Sequence, residues 1–467
     1  MAGMEESGAG IEARIRRVER QLPPVPRPGG GQLSGMGLDA LMTRLDVPGV
    51  GVAVVNDGRI EWARGYGVRD ADSGEPVELD TRFQAASISK PISALAALRL
   101  VEDGRLDLDA DVNTYLTSWH VPATGGWQPR ITLRQILSHS AGLTVHGFPG
   151  YRRDRPLPTL TQVLDGEPPA NTPPVRVDTL PGAQFRYSGG GYTVLQQLLV
   201  DVSGSPFPDL LRSLVLEPAG MAHSSYGQPL SDVVDGGVAS GHRTGGGVVH
   251  GRWHVYPELA AAALWTTPSD LCRLAILLQQ TLAGRVSAIL APAMLRRMLE
   301  PPADPHMGLG FFLAGAGAAA RFGHTGGNEG FRCELVVYRE GGCGAAVMTN
   351  SDDGTIVSEA VLRAVATAYG WPGYLPDERT AGAVEPGTLE RYTGTFELRP
   401  GYRLAVGRDG RGLTLAAPGQ PPLALDAAPD GRWIARALEA RVRFDDDDNA
   451  GLVVEQNGRE MHGTRVS

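Results

Sequence analysis

Apolar and polar residues alternate in different ways along this chain, and each pattern predicts a different secondary structure. Near the start, two β-rich runs, VPGVGVAVV and RIEWARGYGV, flank Asp57-Gly58. Such runs around an Asp-Gly turn are typical of a β-hairpin. Apolar residues then recur at helical spacing from Ile88 to Val101, and Gly104 follows that run. The pattern therefore predicts a hairpin and then a helix that begins near residue 88.

The middle of the chain, from about residue 106 to residue 265, has many turn residues between short helical patterns. Strand patterns return in FRCELVVYRE and CGAAVMTNS, which Gly341-Gly342 joins, and the helical pattern TIVSEAVLRAVATAYG follows them. Hairpins near both ends thus bracket a mostly helical region. This order predicts an α+β fold, in which both ends contribute to one antiparallel sheet that is flanked by helices and interrupted by a helical insertion.

Beyond residue 379 the pattern changes to short strands separated by turn residues, with a spacing of roughly 8 to 12 positions that is typical of a small antiparallel barrel. Before residue 38, a short charged helical pattern leads into the Pro- and Gly-rich stretch PPVPRPGGGQ, which predicts a linker. We therefore expect an N-terminal extension and linker over 1–37, a main domain over 38–378 and a β-barrel domain over 379–467.

Composition places the chain among ordinary globular proteins and excludes some functions. Of its 467 residues, 42% are hydrophobic and 20% are charged, which is usual for globular domains. The formal net charge of −9 argues against a nucleic-acid-binding surface, which needs a concentrated basic face. Cys272, Cys333 and Cys343 lie far apart, so they predict neither a disulfide framework nor a zinc site. We expect no metal and no cofactor.

The N-terminal sequence MAGMEESGAGIEARIRRVERQ contains acidic residues and no apolar run. It is therefore not expected to be a secretory signal. No segment reaches the roughly 18 consecutive apolar residues of a membrane-spanning helix. From these features we expect a cytoplasmic protein without a membrane partner.

The segment Ser87-Ile88-Ser89-Lys90 opens the predicted helix and carries a candidate reactive pair. Residues three apart on a helix face the same side, so the Lys90 amine can lie beside the Ser87 hydroxyl. A helix N-terminus disfavours a charged ammonium and favours a developing oxyanion, and a buried lysine there can act as the base for a serine nucleophile. The alternative is that Ser87 caps the helix and Lys90 is solvated.

Three further segments carry candidate functional residues. His139 lies in SHSAGL after a helical pattern, Tyr187 lies in a Gly-rich turn before another, and His324-Thr325-Gly326 enters a strand pattern. A single loop histidine is most often hydrogen-bonded for structural reasons, and we interpret His139 in that way. Together with the Ser-x-x-Lys segment, and in this order, these segments resemble the motifs of the serine β-lactamase and D,D-peptidase superfamily.

The closest resemblance within that superfamily is to the class C β-lactamase-like group, which includes esterases, D-aminopeptidases and peptide cyclases. It covers roughly residues 38 to 375. The C-terminal tail resembles the lipocalin-like domain that some of these proteins have after the catalytic domain. The resemblance therefore implies a serine enzyme with the β-lactamase fold, followed by a lipocalin-like barrel.

Carried over motif by motif, the resemblance implies a role for individual residues. Ser87 is expected to be the nucleophile, Lys90 its base partner and Tyr187 the phenol that relays protons. His324 takes the place of the lysine in the Lys-Thr-Gly motif of the family. The backbone N–H groups of Ser87 and Gly327 are expected to form the oxyanion hole, because two such donors stabilise an oxyanion better than its neutral precursor.

Two positions depart from the family pattern. Gly189 stands where the Tyr-x-Asn motif has its asparagine, and His324 brings no permanent positive charge for the carboxylate of a β-lactam. Both departures weaken a β-lactamase assignment and favour esters or small peptides as substrates. Loops and the ends of strands often carry binding residues. The residues expected to contact the substrate are His146, Phe148, Tyr151, Gly189, Thr325, Gly326 and Asn328.

The leading hypothesis is a serine hydrolase that acts through an acyl-enzyme on an ester or a small peptide or amide. An acyltransferase or peptide cyclase would resolve the same acyl-enzyme with an amine, and competition by an added amine would reveal it. A weak β-lactamase or D,D-carboxypeptidase is a further alternative. A binding module without chemistry would not need Ser87, Lys90 and Tyr187 together. The expected partner is a small-molecule or peptide substrate, and the oligomeric state is left open.

Overall fold

The structure, a computed structural model of the chain, describes the main fold and a series of strands that follow it. The described residues are 2–23, 25–26, 32–33, 35–230, 237–375, 389–399, 401–408, 412–418, 422–427, 432–435, 440–445, 451–456 and 459–466. The chain divides into two compact units, Met1–Leu22 with Gly37–Tyr374 and Pro23–Met36 with Leu375–Ser467. The predicted boundary at residue 378 lies outside the described residues, and the three-part division stays a prediction.

Helices and short strands alternate along the chain before the barrel. The helices are α1 (Ala2–Arg20), α2 (Leu38–Arg44), α3 (Ser89–Glu102), α4 (Leu133–Leu137), α5 (Leu160–Asp165), α6 (Gly189–Ser203), α7 (Phe207–Leu211), α8 (Leu259–Ala262), α9 (Pro268–Leu282), α10 (Pro292–Met298) and α11 (Gly354–Tyr369). The strands are β1 (Val25–Pro26), β2 (Gln32–Leu33), β3 (Gly49–Asn56), β4 (Arg59–Gly67), β5 (Phe83–Gln84), β6 (Tyr151–Arg152), β7 (His254–Val255), β8 (Trp265–Thr266), β9 (Phe312–Ala314), β10 (Arg321–Asn328), β11 (Phe331–Tyr338) and β12 (Gly344–Thr349).

A six-stranded antiparallel sheet in the order β4-β3-β12-β11-β10-β9 organises the first unit. The turn between β3 and β4 places Asp57 and Gly58 at φ values of 52° and 69°, as a two-residue turn of type I′ requires. Gly341 and Gly342, between β11 and β12, have φ values of 77° and 63°. Both predicted hairpins are confirmed, and the two ends of the unit share one sheet, as the α+β prediction required.

Helix α3 runs through the apolar core of the first unit. Every residue from Ser89 to Leu98 is buried, so this part of the helix presents no polar face to solvent. Pro91 lies in its first turn, where the backbone N–H has no intrahelical partner to lose. Helix α9 packs on the sheet, and the Cys272 thiol in α9 donates to the Ala53 carbonyl of β3 at 3.4 Å. None of the described helices combines the length and apolar character needed to cross a membrane.

The N-terminal helix α1 belongs to the first unit and joins an edge strand to the last helix. Arg14 donates to the Glu61 carboxylate of β4 at 2.8 Å, and the Tyr369 hydroxyl of α11 donates to the same carboxylate. Trp62 Nε1 donates to the Tyr369 hydroxyl oxygen at 3.0 Å. These side chains connect α1, β4 and α11 through one partly buried network.

The second unit contains a closed antiparallel barrel of eight strands. They are β13 (Gly394–Arg399), β14 (Tyr402–Arg408), β15 (Leu413–Ala416), β16 (Leu423–Ala427), β17 (Trp433–Ala435), β18 (Ala440–Phe444), β19 (Gly451–Gln456) and β20 (Arg459–Arg465). Each strand pairs with the next, and β13 pairs with β20 through Phe396 and Glu397. In β18, buried Ala440, Val442 and Phe444 alternate with exposed residues, as expected of a wall with one apolar face. The predicted antiparallel barrel is confirmed.

Candidate active site

Ser87 and Lys90 lie together where a short 3₁₀ turn, Ala86–Ile88, leads into α3. The Lys90 Nζ donates to the Ser87 Oγ at 2.9 Å and to the Ala261 carbonyl oxygen of α8 at 2.8 Å. Lys90 is 2% exposed, and neither Ser87 nor Lys90 caps the helix. The alternative of a capping serine and a solvated lysine therefore does not describe this site.

The turn that carries Ser87 is held from the sheet. The Cys333 thiol of β11 donates to the Ala85 carbonyl oxygen at 3.0 Å, and Gly326 lies opposite Cys333 in the β10–β11 ladder. A Cβ at Gly326 would lie 2.2 Å from the Ala85 carbonyl oxygen and 2.4 Å from the Cys333 sulfur. Only glycine lets β10 come this close to the nucleophile turn. The close approach therefore explains why the third residue of His-Thr-Gly is a glycine.

Ala86 directly precedes Ser87 and has a φ of 48°, a left-handed conformation that non-glycine residues rarely adopt. Strain of this kind costs on the order of 1–3 kcal/mol and persists only where the surroundings impose it. Ala86 is fully buried, and the contacts of Ala85 with β10 and β11 are such surroundings. The strained turn aims the Ser87 hydroxyl at Lys90.

Tyr187 lies beside this pair, two residues before α6 begins at Gly189. The Lys90 Nζ is 5.0 Å from the centroid of the Tyr187 ring. The Ser188 hydroxyl oxygen caps α6 by accepting from the Gly191 N–H, which fixes the direction in which Tyr187 leaves the helix. The structure therefore brings Tyr187 beside the Ser87–Lys90 pair, which lies about 100 residues earlier in the sequence.

Gly189 replaces the asparagine of the family motif, and the structure shows what occupies the space. A Cβ at Gly189 would lie 2.8 Å from Phe148 Cε2 and 3.1 Å from the His146 carbonyl oxygen. The Gly189 N–H also donates to that carbonyl at 3.0 Å. The loop that carries His146 and Phe148 thus packs directly on the α6 start, and an asparagine side chain would have to displace the Phe148 ring.

His324 lies on β10, 3% exposed, with its ring centroid 6.2 Å from that of Tyr187. Its Nδ1 is 2.5 Å from the Thr325 carbonyl oxygen, so Nδ1 carries the proton and donates, and Nε2 keeps its lone pair. Burial and then the nearby charge of Lys90 lower the pKa of His324 to about 3. The ring is therefore neutral at physiological pH and supplies no fixed cation.

The other residues of β10 alternate between the interior and the surface. Thr325 and Gly327 are exposed, whereas Gly326 and Asn328 are buried. A Cβ at Gly327 would meet only the Arg332 side chain, at 3.5 Å, so no backbone closes off this exposed position. The assignment of the Gly327 N–H to the oxyanion hole stays a prediction.

Asn328 and Tyr151 use their polar atoms inside the protein. The Asn328 Nδ2 donates to Gln84 Oε1 at 2.7 Å and to the Ala262 carbonyl oxygen at 3.0 Å. The Tyr151 hydroxyl oxygen accepts from the Asn171 N–H at 3.1 Å, and burial raises the pKa of Tyr151 to about 12. Asn328 thus joins β10 to β5 and α8, and Tyr151 anchors the β6 loop.

Aromatic rings surround Tyr187, and among them are those of His139 and Phe312, which the sequence analysis did not assign to the site. The ring centroids of His139, His146 and Phe312 lie 4.3, 5.0 and 6.3 Å from that of Tyr187. His139 was interpreted as structural, and no role was assigned to Phe312. The signal that could have assigned them to the site was their position in the sequence. His139 lies within SHSAGL, and Phe312 lies in GLGFF, shortly before His-Thr-Gly. Their contact with Tyr187 arises only on folding.

Metal ligands and disulfides are not features of the described part of this unit. Among the described residues, no three or more His, Cys, Asp or Glu side chains are grouped as metal ligands would be. Cys272 and Cys333 are buried free thiols, and Cys343 is a half-buried one. Burial raises the pKa of Cys333, so this sulfur stays protonated and can donate to Ala85.

The α+β fold, with a serine and a buried lysine joined at the start of a core helix, defines a class of serine enzymes. The family model described as beta-lactamase matches residues 38–369. Because that match covers more than half of the chain, the protein belongs to the β-lactamase family. The predicted membership of the serine β-lactamase and D,D-peptidase superfamily is confirmed, and the protein is a serine hydrolase of that superfamily.

Relatives support this assignment over different lengths. The chain is 24% identical over 449 residues to penicillin-binding protein 4* of Bacillus subtilis (strain 168), with 89% of this chain and 94% of the relative covered. It is 31% identical over 187 residues to esterase EstB of Burkholderia gladioli, with 37% of this chain and 45% of the relative covered. The match to the esterase therefore spans less than half of that protein.

A solved structure shows the same fold over nearly the whole chain. The octameric penicillin-binding protein homologue from Pyrococcus abyssi superimposes with a TM-score of 0.62 at 21% sequence identity. The match covers 91% of this chain and 99% of that chain. At this level of identity the likeness concerns the fold alone.

Proposed function

We propose that this protein forms an acyl-enzyme at Ser87 and hydrolyses an ester or a small amide or peptide. The observation that carries the proposal is the buried Lys90 Nζ, 2.9 Å from the Ser87 Oγ, with Tyr187 beside it. A buried amine next to a serine hydroxyl is the arrangement that activates such a nucleophile. The relatives named as an esterase and a penicillin-binding protein support acyl transfer as the reaction class.

In the proposed reaction, the Ser87 Oγ bonds to the substrate carbonyl carbon while its proton passes to the Lys90 Nζ. The backbone N–H groups of Ser87 and Gly327 donate to the oxyanion that forms, where each such donor is worth about 100-fold or more in rate. The proton then passes through Tyr187 to the leaving alcohol or amine as its bond to carbon breaks. Water attacks the remaining Ser87 ester and releases the acid.

The charge of the site favours esters and uncharged amides over β-lactams. His324 is neutral because burial and Lys90 lower its pKa to about 3, so the carboxylate of a β-lactam has no partner there like the family's lysine. A lost charge-assisted hydrogen bond costs about 1.5–3 kcal/mol, or roughly one to two powers of ten. We expect kcat/KM for nitrocefin to be lower by that factor than for a short-chain p-nitrophenyl ester, measured in one buffer. More efficient turnover of nitrocefin would contradict this substrate class.

The acyl-enzyme itself is tested by intact-mass measurement after treatment with a fluorophosphonate. We expect one adduct on the native protein and none on Ser87→Ala. Ser89→Ala is the matched control, because Ser89 Oγ lies in the same segment but accepts from the Leu264 N–H at 3.0 Å and does not contact Lys90 Nζ. Labelling of Ser87→Ala at the native rate would show that Ser87 is not the nucleophile.

Hydrolysis and transfer to an amine share this acyl-enzyme, so labelling does not separate them. Product analysis in the presence of a D-amino-acid amide or a peptide amine does. Release of the acid alone, at every amine concentration, supports the hydrolase. Condensation products that increase with amine concentration would assign an acyltransferase or a peptide cyclase instead.

A further inference from the structure

His139 follows α4 with an unusual backbone conformation. Its φ is 54°, in the left-handed region, where non-glycine residues are strained by roughly 1–2 kcal/mol. The residue is 2% exposed. Backbone strain in a buried residue persists only when neighbouring contacts impose it, and such positions cluster at functional sites.

The contacts that hold His139 lie on both sides of Tyr187. The Arg186 N–H donates to the His139 carbonyl oxygen at 2.7 Å. The Ser188 N–H donates to His139 Nδ1 at 3.1 Å. One residue therefore accepts from the backbone immediately before and immediately after Tyr187, and the left-handed conformation is what lets its carbonyl and its ring reach the same short segment.

The His139 ring also contacts the phenol itself. The centroids of the two rings are 4.3 Å apart and their planes are inclined by 31°, a separation at which aromatic rings are in direct contact. Tyr187 in turn lies 5.0 Å from the Lys90 amine. A displacement of the His139 ring would therefore move Tyr187 relative to the Ser87–Lys90 pair.

The protonation state of His139 follows from its partner. Because Nδ1 accepts from the Ser188 N–H, it has a lone pair, and the neutral ring carries its proton on Nε2. Burial, and then electrostatic interactions with Lys90 on α3, His324 on β10 and His146 in the loop after α4, lower the pKa of His139 well below its usual value. Among the described residues, Nε2 is buried without a hydrogen-bond partner.

We propose that His139 is the positioning residue of Tyr187. Its carbonyl oxygen and Nδ1 hold the backbone on both sides of the phenol, and its ring holds the phenol beside Lys90. The inference rests on the proposed function, in which Tyr187 carries a proton between Lys90 and the leaving group. A proton relay is sensitive to placement, and a misplacement of about 1 Å can cost about 100-fold in rate.

Tyr192 provides a matched control for general loosening of this part of the core. Its buried ring lies 5.2 Å from the His139 ring, and its hydroxyl donates to the Leu137 carbonyl at the end of α4 at 3.2 Å. Tyr192→Phe removes one buried hydrogen bond near His139 but none of the bonds to the Tyr187 segment. If His139 acted through packing alone, substitutions at His139 and at Tyr192 should change the activity to a similar extent.

Two substitutions of His139 separate its acceptor from its bulk. Asparagine tolerates positive φ, and its side-chain oxygen can accept from the Ser188 N–H in place of Nδ1. Leucine fills the space and accepts nothing. With a p-nitrophenyl ester we expect His139→Leu to lower kcat by about 100-fold with little change in KM. His139→Asn should recover at least about tenfold of that loss, and Tyr192→Phe should stay within about threefold of the native rate.

A second readout does not depend on activity. The ¹⁹F resonance of Tyr187 in fluorotyrosine-labelled protein, assigned by its loss in Tyr187→Phe, reports the environment of the phenol. We expect a single sharp signal in the native protein and in His139→Asn, and a shifted or broadened one in His139→Leu. A native Tyr187 signal in a folded His139→Leu variant would overturn the proposal, as would a native kcat in that variant. If the native protein shows no acylation at Ser87, the proposed function fails, and the Tyr187 signal still decides the role of His139.

Discussion

The two units of this protein differ in what they bury. In the α+β unit, Lys90, His139, Glu258 and His324 are at most 3% exposed. In the barrel, every buried side chain that the structure describes is apolar, and the ion pair of Arg432 with Glu455 is partly exposed. Both units meet the basic requirement for folding, a continuous apolar core.

The difference teaches where the chain accepts an energetic cost. Moving a titratable group out of water is unfavourable unless it is paired or loses its charge, and the α+β unit does this repeatedly. His139 and His324 are held neutral, and burial raises the pKa of Glu258 to about 8. The barrel avoids this cost, because its described residues bury apolar side chains, which a stable fold requires, and no titratable ones of the kind that a reaction uses. The predictions below test whether chemistry is confined to the first unit.

The largest expected effect is the loss of turnover in Ser87→Ala. Removal of the nucleophile from a serine enzyme lowers kcat on the order of 10⁶-fold. Unfolding by urea should be little changed, because Ser87 is half-exposed and its hydroxyl bonds only to Lys90. The measurement is ester hydrolysis by purified variant, and retention of even about a tenth of the native rate would place the chemistry elsewhere.

The second largest effect on the reaction, after that of Ser87→Ala, is expected of Gly326→Ala. Its Cβ would lie 2.2 Å from the backbone oxygen of Ala85, so the nucleophile turn must move, and we expect acylation of Ser87 to slow by about 100-fold. Cys333→Ala is the graded control, since it removes the thiol donor to Ala85 without a clash. It should slow acylation by less than about tenfold. Equal rates in Gly326→Ala and the native protein would mean that β10 does not set the nucleophile geometry.

Glu258 is expected to affect stability rather than rate. Its carboxyl oxygens are buried and, within the described residues, have no hydrogen-bond partner, and burial raises its pKa from 4.5 to about 8. The folded protein therefore binds a proton that the unfolded chain releases, and this group makes the free energy of unfolding fall as pH rises from about 4.5 to about 8, by up to about 1.4 kcal/mol per pH unit. Glu258→Gln removes this contribution. Urea unfolding at pH 5 and pH 8 should show that the free energy of unfolding of the variant, relative to that of the native protein, is higher at pH 8 than at pH 5. The same difference at both pH values would contradict the assignment.

The smallest effect on chemistry is expected of a change in the barrel. Leu413 is fully buried there, so Leu413→Ala should lower the stability of the barrel by about 2–5 kcal/mol. Acylation of Ser87 should stay within about twofold of the native rate, because Leu413 belongs to the apolar core of the barrel itself. Differential scanning calorimetry and fluorophosphonate labelling on the same sample measure both quantities. A variant with an intact α+β unit that no longer reacts at Ser87 would show that the barrel takes part in the reaction.

Much of this fold could be predicted because its signals are local. The Asp57-Gly58 turn requires two residues with positive φ, and the composition of the turn reports that directly. The start of α3 and the alternation of β18 follow from side-chain periodicity. The Ser87–Lys90 pair was predictable for the same reason, since residues three positions apart in a helical turn place their side chains on one side.

The contacts of Tyr187 could not be predicted in this way. His139, His146 and Phe312 reach it from separate loops and strands, and no periodicity links their positions in the chain. Phe148 explains why glycine replaces asparagine at position 189, because a Cβ at Gly189 would lie only 2.8 Å from the Phe148 ring. That proximity exists only in the folded chain. The role of a loop histidine as structural or functional depends on which residue its ring faces, and that is a property of the folded chain.

The sequence by itself determined the order of elements, the hairpin turns, the antiparallel barrel and the pairing of Ser87 with Lys90, because each depends on residues that are neighbours along the chain. The tertiary structure decided the charge of the site and its surroundings. His324 has its pKa lowered to about 3 because packing removes it from water and places it near Lys90. Burial and distance are sums over the whole fold, so residues far apart in sequence set the protonation state on which the chemistry depends.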